Sequence, residues 1–299
     1  MKLIGFKEED IKNFINMKQL EKNEKSNLDF NENDIVKVSS ELVQEKDEVF
    51  IKNDNRNLVA RKEFINYSIE EQEKYLFVKK IICNCCKKEI YTNLLRKSRL
   101  KIIDKDTDLF TYYEGIYPIM YEAIICTNCG YADLENRFNK LTKSEYENLN
   151  NDYSKSFKKR EFNLIRSLDE TIEIYKIIFI NYLINKPKSY DEAKLLHKLA
   201  ILYRLKNDRE NEIKFLKLSV KSYEESYLKG ENFDNFKIEL QTIYLIAELS
   251  RIIGDYVKSS NYFQKIMLNK NLKNMTILKK LVEDQYELLR IEYGIVNSN

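Results

Sequence analysis

A single histidine, His197, and only six glycines in 299 residues narrow the chemistry open to this chain. With one imidazole available, a metal set built on several histidines is excluded, and any Cys-His or Ser-His catalytic pair depends on that residue. The few glycines form no phosphate-binding loop or nucleophile elbow, and no paired catalytic acid motif accompanies them. The longest apolar stretch, Ile177 to Ile184, contains Asn181 and is far too short to cross a bilayer. Excess charge is lacking as well. The 51 basic residues against 48 acidic ones leave a net +3, which makes no general case for a nucleic-acid partner. These absences point away from an enzyme and away from a membrane protein.

What is present describes a folding, soluble chain, with 43% hydrophobic and 33% charged residues. The start, Met1 to Asp10, turns acidic before any apolar core develops and does not resemble a secretory signal. The expected location is therefore cytoplasmic, where thiols stay reduced and cysteines serve as metal ligands or buried thiols rather than disulfides. Two cysteine pairs fit that reading: Cys83-Asn-Cys-Cys86 and Cys126-Thr-Asn-Cys129-Gly130. Two residues between the members of a pair let one short turn present both sulfurs to a single ion. Four such thiolates suit a tetrahedral zinc ion, with iron and two unrelated buried pairs as the alternatives. Cys85 is the odd thiol, because pairing it with Cys83 leaves one intervening residue, so Cys86 is the better ligand. Gly130 supplies a residue that tolerates positive φ after the second pair, whereas Lys87 holds that place after the first, which predicts greater strain there.

Three regions follow from the patterning. Residues 1–74 are polar and form an N-terminal extension, with a small hairpin expected around Asn53–Asn57 and a short amphipathic stretch from Glu8 to Leu20. Residues 75–142 contain β-rich runs, Leu76 to Ile82 and Tyr121 to Ile125, each leading into a cysteine pair. Residues 87–125 between the pairs exceed the roughly 15 to 20 of a compact ribbon, so they form an inserted β-element. Residues 143–299 switch to helical periodicity, with Ile213, Leu216, Val220, Tyr223 and Tyr227 on one face. A shift of 47 residues aligns Leu199 with Ile246, Ala200 with Ala247, Arg204 with Arg251, Asp208 with Asp255 and Leu216 with Phe263. This is the pattern of a tetratricopeptide-like helical hairpin, flanked by capping helices around Leu168 to Leu183 and Ile277 to Ile291. The expected class is α+β, mostly α, with a small zinc-ribbon-like β domain followed by helical repeats.

Arg96-Lys-Ser-Arg-Leu100, Asp104-Lys-Asp-Thr-Asp108, Tyr112-Tyr113, Pro118, Tyr121 and Cys126-Thr-Asn-Cys-Gly-Tyr-Ala132, taken in order, resemble an uncharacterised bacterial family. That family joins a split zinc ribbon to tetratricopeptide-like helices, and the resemblance runs from about Tyr75 to Glu292. It implies that Cys83, Cys86, Cys126 and Cys129 are the metal ligands, and it brings no established activity. Asn84 departs from the proline usual after the first cysteine, and the segment before Tyr75 is additional.

The remaining polar features are weighed against simpler roles. Asp104, Asp106 and Asp108 lack the glycine and terminal Glu of a calcium loop, so they read as a polar turn pairing with nearby Lys and Arg. His197 reads as an ordinary helix residue, Tyr112, Tyr113, Tyr117 and Tyr121 as packing, and Lys155, Lys158, Lys159 and Arg160 as a solvated linker face. The expected function is a non-catalytic interaction protein, with one structural zinc and a helical surface for a protein or peptide partner. One alternative is a nucleic-acid module using Lys79, Lys80, Lys87, Lys88, Arg96, Lys97, Arg99 and Lys101. A weaker one is a thiol-redox protein using Cys85.

Overall fold

The computed structural model describes residues 63–297, apart from Asp152. The hairpin and helix expected before residue 63 lie outside the described residues. Within them, α1 (Ile69–Glu73) is followed by β1 (Leu76–Ile82), β2 (Glu89–Leu95), β3 (Ile102–Lys105), β4 (Thr111–Tyr113), β5 (Ala123–Ile125) and β6 (Ala132–Leu134). Helices then take over: α2 (Glu135–Phe138), α3 (Lys143–Asn151), α4 (Tyr153–Ser156), α5 (Leu168–Asn185), α6 (Ser189–Leu205), α7 (Arg209–Leu228), α8 (Phe236–Ile252), α9 (Tyr256–Met267) and α10 (Thr276–Asn297). The architecture is α+β, mostly α. No helix among the described residues is long and apolar enough to cross a membrane.

The strands pair as three separate antiparallel hairpins, β1 with β2, β3 with β4, and β5 with β6. Two-stranded sheets are marginal alone, so each hairpin needs a partner surface. For β5–β6 that surface is α5. Ser167 and Glu170 close a capping box at the start of α5, which fixes where its apolar face begins. Asn181, the polar interruption in the apolar run, accepts the Ala132 N–H at 3.1 Å, and Tyr175 donates its hydroxyl to the Ile119 carbonyl at 2.9 Å. Buried Arg166 donates to the carbonyls of Met120 and Ala123. A residue that looked out of place in a hydrophobic helix is thus the one that satisfies a buried strand amide.

Residues 63–74 also pack on the β region. Phe64 stacks on Tyr117 with ring centroids 4.9 Å apart, and the Tyr121 hydroxyl donates to Gln72 at 2.7 Å. Tyr112, Tyr117 and Tyr121 are all buried, so none offers a free face for base stacking.

The later helices repeat with their caps. The first pair, α6 and α7, starts at Ser189 and Arg209, and the second pair, α8 and α9, starts at Phe236 and Tyr256, each 47 residues on. Asn207 (φ 61°) and Gly254 (φ 81°) turn the chain between helices. Asp208 and Asp255 then cap the second helix of each pair through the amides of Asn211 and Lys258. The amides of Asp208 and Asp255 donate back to the carbonyls of Tyr203 and Ser250, at 2.9 Å in both cases. Small residues let the helices approach: Ala193, Ala200 and Ala247 are fully buried, and Ser219 of α7 donates to the Ala193 carbonyl of α6.

Candidate metal centre

Both cysteine pairs sit in the turns of hairpins and share one backbone pattern. In the β1–β2 turn the Cys83 amide donates to the Lys88 carbonyl at 2.9 Å, and the Lys87 amide returns to the Cys83 carbonyl at 2.9 Å. In the β5–β6 turn the Cys126 amide donates to Tyr131 at 2.8 Å, and the Gly130 amide to Cys126 at 2.9 Å. This turn requires positive φ at its fifth residue, where Lys87 has φ 60° and Gly130 φ 73°. A residue with a Cβ loses about 1 to 2 kcal/mol in that region, so the first turn carries strain that the second avoids.

The two turns are not equally crowded. A Cβ at Gly130 would lie 2.4 Å from the Phe157 ring, whereas Lys87 is exposed. Gly130→Ala is therefore expected to lower stability by about 2 kcal/mol or more, from the backbone penalty plus the displaced ring. Lys87→Gly is expected to raise it by about 0.5 to 1 kcal/mol. Urea unfolding of the metal-loaded variants reads both, and the same sign for the two would contradict the argument.

The structure brings Cys83, Cys86, Cys126 and Cys129 together, with all four sulfurs within 4.8 Å of one another. Cys83 Sγ lies 3.7 Å from Cys129 Sγ, and Cys86 Sγ lies 3.5 Å from Cys126 Sγ. These separations are far beyond the roughly 2.05 Å of a disulfide. They approach the edge of about 3.8 Å that a tetrahedron with 2.3 Å metal–sulfur bonds requires. Cys83 and Cys126 are fully buried, Cys129 is nearly so, and Cys86 is half-buried.

Four thiols this close cannot all ionise unaided. The Cys126 thiolate accepts from Cys129 and Cys83 and is held down at about 2. The same contact with Cys126 pushes Cys83 up to about 12, and with the neighbouring thiols it pushes Cys129 well above the thiol range. A divalent cation held by the four sulfurs would resolve the conflict by replacing the protons, and its uptake would then release protons and be opposed by acid.

Cys85 is not part of this group. It is buried, its sulfur lies 3.5 Å from Ser154 Oγ, and a hydrogen bond from Cys129 lowers its thiol to about 6. That donor would be lost if Cys129 held a metal as its thiolate.

The insertion between the cysteine pairs makes a second cluster, with partners that sequence spacing did not indicate. The turn joining β3 to β4 lies against α6 and α8. Asp108 is buried, accepting from Arg204 Nη2 at 2.6 Å and lying 3.3 Å from His197 Nε2. Asp106 accepts from Arg204 Nη1 at 3.2 Å and from the Tyr112 hydroxyl at 2.9 Å. The Thr107 carbonyl accepts from the Tyr244 hydroxyl at 2.6 Å, and the Thr107 hydroxyl donates to Glu248. The expectation that these acids pair with nearby Lys and Arg is corrected: for Asp106 and Asp108 the cation is Arg204 of α6, 98 and 96 residues along the chain. Burial alone would raise the Asp108 carboxyl, but the charges of Arg204 and His197 and their hydrogen bonds outweigh it and hold it well below the usual carboxylate range.

The basic segment is partly spoken for. Lys80, Lys97 and Lys101 pair with Glu89, Glu135 and Glu114, and Arg96 and Arg99 donate to the backbone carbonyls of Leu76 and Lys74. Arg160 of the later basic run pairs with Glu173.

Residues 76–289 match a protein family described as "Uncharacterized protein conserved in bacteria (DUF2225)". No curated protein and no solved structure gives a significant match. Because the matched span takes in both cysteine hairpins, the β3–β4 insertion and the helices α2 to α9, the chain belongs to this bacterial family.

Proposed function

We propose that this is a non-catalytic, cytoplasmic interaction protein. One structural zinc ion on Cys83, Cys86, Cys126 and Cys129 fixes the β hairpins, and the tetratricopeptide-like helices offer a surface to a protein or peptide partner. The observation that carries the reading is the closed four-sulfur cluster at the tips of two matching hairpins. Four protein ligands leave no position for a reactive water, so the ion stiffens rather than catalyses. Iron suits the same thiolate set, and elemental analysis by mass spectrometry separates the two.

The partner surface is tested by affinity capture with the wild-type chain and with charge substitutions at exposed apolar helix positions, Leu228→Asp, Leu268→Asp and Ile277→Asp. Partners are expected to be lost in at least one variant. Retention of every partner in all three counts against the reading. The nucleic-acid alternative is supported by no particular contact, since six of its eight cationic side chains are tied to carboxylates or backbone carbonyls.

A further inference from the structure

The β3–β4 hairpin distributes its residues in an unusual way. Ile102 and Ile103 on β3 are 66% and 58% exposed, while the carboxylate of Asp108 at its tip is buried against the helices. Apolar burial drives most docking, yet this arm leaves its isoleucines in water and buries the carboxylates of Asp106 and Asp108, so apart from the buried Tyr112 ring it is held by charge recognition and hydrogen bonds. The arm belongs to no larger sheet, as β3 pairs with β4 alone.

The helical face that receives it is built to stand without it. Arg204 keeps a hydrogen bond from Nε to Glu212 of α7 at 2.8 Å and spends Nη1 and Nη2 on the arm. Glu248 keeps two hydrogen bonds from Arg251 of its own helix, at 2.9 and 2.7 Å, while also accepting from Thr107. Arg251 is held in turn by Glu292 of α10. Removing the arm would therefore leave Arg204 and Glu248 each with a helical partner, and would expose the two outer guanidinium nitrogens, His197 Nε2 and the Tyr244 hydroxyl as a preset group. Such a group matches a short turn carrying two carboxylates around a central residue with a free carbonyl and hydroxyl.

We propose that the face formed by α6 and α8 is a receptor for an acidic turn of a protein partner, and that the chain's own Asp106-Thr107-Asp108 turn is its resident occupant. This deepens the interaction reading above and rests on it, by naming the chemistry of the partner. A partner turn competes with an arm that is tethered beside the face and so has a high effective concentration there. Binding to the intact chain is therefore weak, and it strengthens when the arm is disabled.

The test uses the full, metal-loaded chain carrying Asp106→Ala and Asp108→Ala, with a fluorescent synthetic peptide of residues 102–113 as the probe. Hydrogen exchange first establishes that α6 to α9 stay protected. The double variant is expected to bind the peptide at least tenfold more tightly than wild type by fluorescence anisotropy. Adding Arg204→Gln to the double variant, or making the same two aspartate changes in the peptide, is expected to weaken binding at least tenfold. No binding by a double variant with protected helices overturns the proposal, as does binding that is indifferent to Arg204. A companion measurement needs no variant. In wild type, the amides of Asp106 and Leu109, which close the turn, are expected to exchange faster than those of α6 and α8, and exchange of both sets only through global unfolding overturns the proposal as well. None of these readouts depends on capturing a cellular partner, so failure of the broader interaction reading leaves them separately interpretable.

Discussion

Purified protein is expected to carry one metal ion per chain, and changing either Cys83 or Cys126 to serine is expected to bring that to zero. The two residues lie in different hairpins and are both fully buried, so loss in both variants is the signature of one shared ion. Structural zinc contributes about 10 to 16 kcal/mol of apparent binding free energy in small finger peptides, as much as the whole stability of a typical domain. The hairpins around the site are short two-stranded sheets, and β5–β6 pairs only three residues on each strand. Without the ion, β5–β6 is left to its packing on α5, and β1–β2 to its contact with α1. Both variants, and wild type after chelation, should therefore lose protection in β1–β2 and β5–β6 while α6 to α9 remain folded. Acidification should act in the same direction as chelation, because protons compete for the thiolates. Metal retained in Cys126→Ser but absent from Cys83→Ser would mean that the two pairs do not share an ion.

Arg204→Ala is expected to cost about 3 to 5 kcal/mol, the range for stranding buried carboxylates by deleting their cation. One guanidinium serves Asp106, Asp108 and Glu212 through three different nitrogens, and its departure leaves two nearly inaccessible acids undercompensated. Lysine at this position places one point charge where three directed donors are required, so Arg204→Lys should recover only part of the loss. Equilibrium urea unfolding of the metal-loaded variants measures both, and a loss under about 1 kcal/mol for the alanine variant would show that the network is not buried in solution. The same network sets a pH dependence. The Asp108 carboxyl lies lower in the folded chain than in the unfolded one, so its contribution is fully present above about pH 4 and declines as the pH falls below that value. In Asp108→Asn that decline should be smaller, which a comparison of stability at pH 3 and pH 7 would reveal.

The local features were readable from the sequence because each is fixed by a few neighbouring atoms. Two intervening residues decide that a turn can present both sulfurs, and the demand for positive φ after the second cysteine falls on Gly130 in one turn and Lys87 in the other. The offset that aligned Arg204 with Arg251 and Asp208 with Asp255 returned as matched helices and caps, since those are set within one or two turns of backbone. Periodicity likewise marked Leu216, Val220 and Tyr223 as a buried face.

What lay beyond reach was the identity of the surface each face meets. Asn181 was only a polar residue within an apolar run, and the structure sets the Ala132 amide against it; His197 read as an ordinary helix residue, and the structure sets Asp108 of the insertion beside it. The aspartates of residues 104–108 read as a polar turn pairing with nearby Lys and Arg, because sequence shows only the cations that are neighbours along the chain. The sequence by itself determined the spacing of the two cysteine pairs, the helical periodicity and the 47-residue offset between the helix pairs. Only the tertiary structure decided that the inserted arm docks by its charges onto the repeat, because that pairing depends on loop closure over about a hundred residues, whose small and slowly growing entropic cost leaves no trace in local pattern.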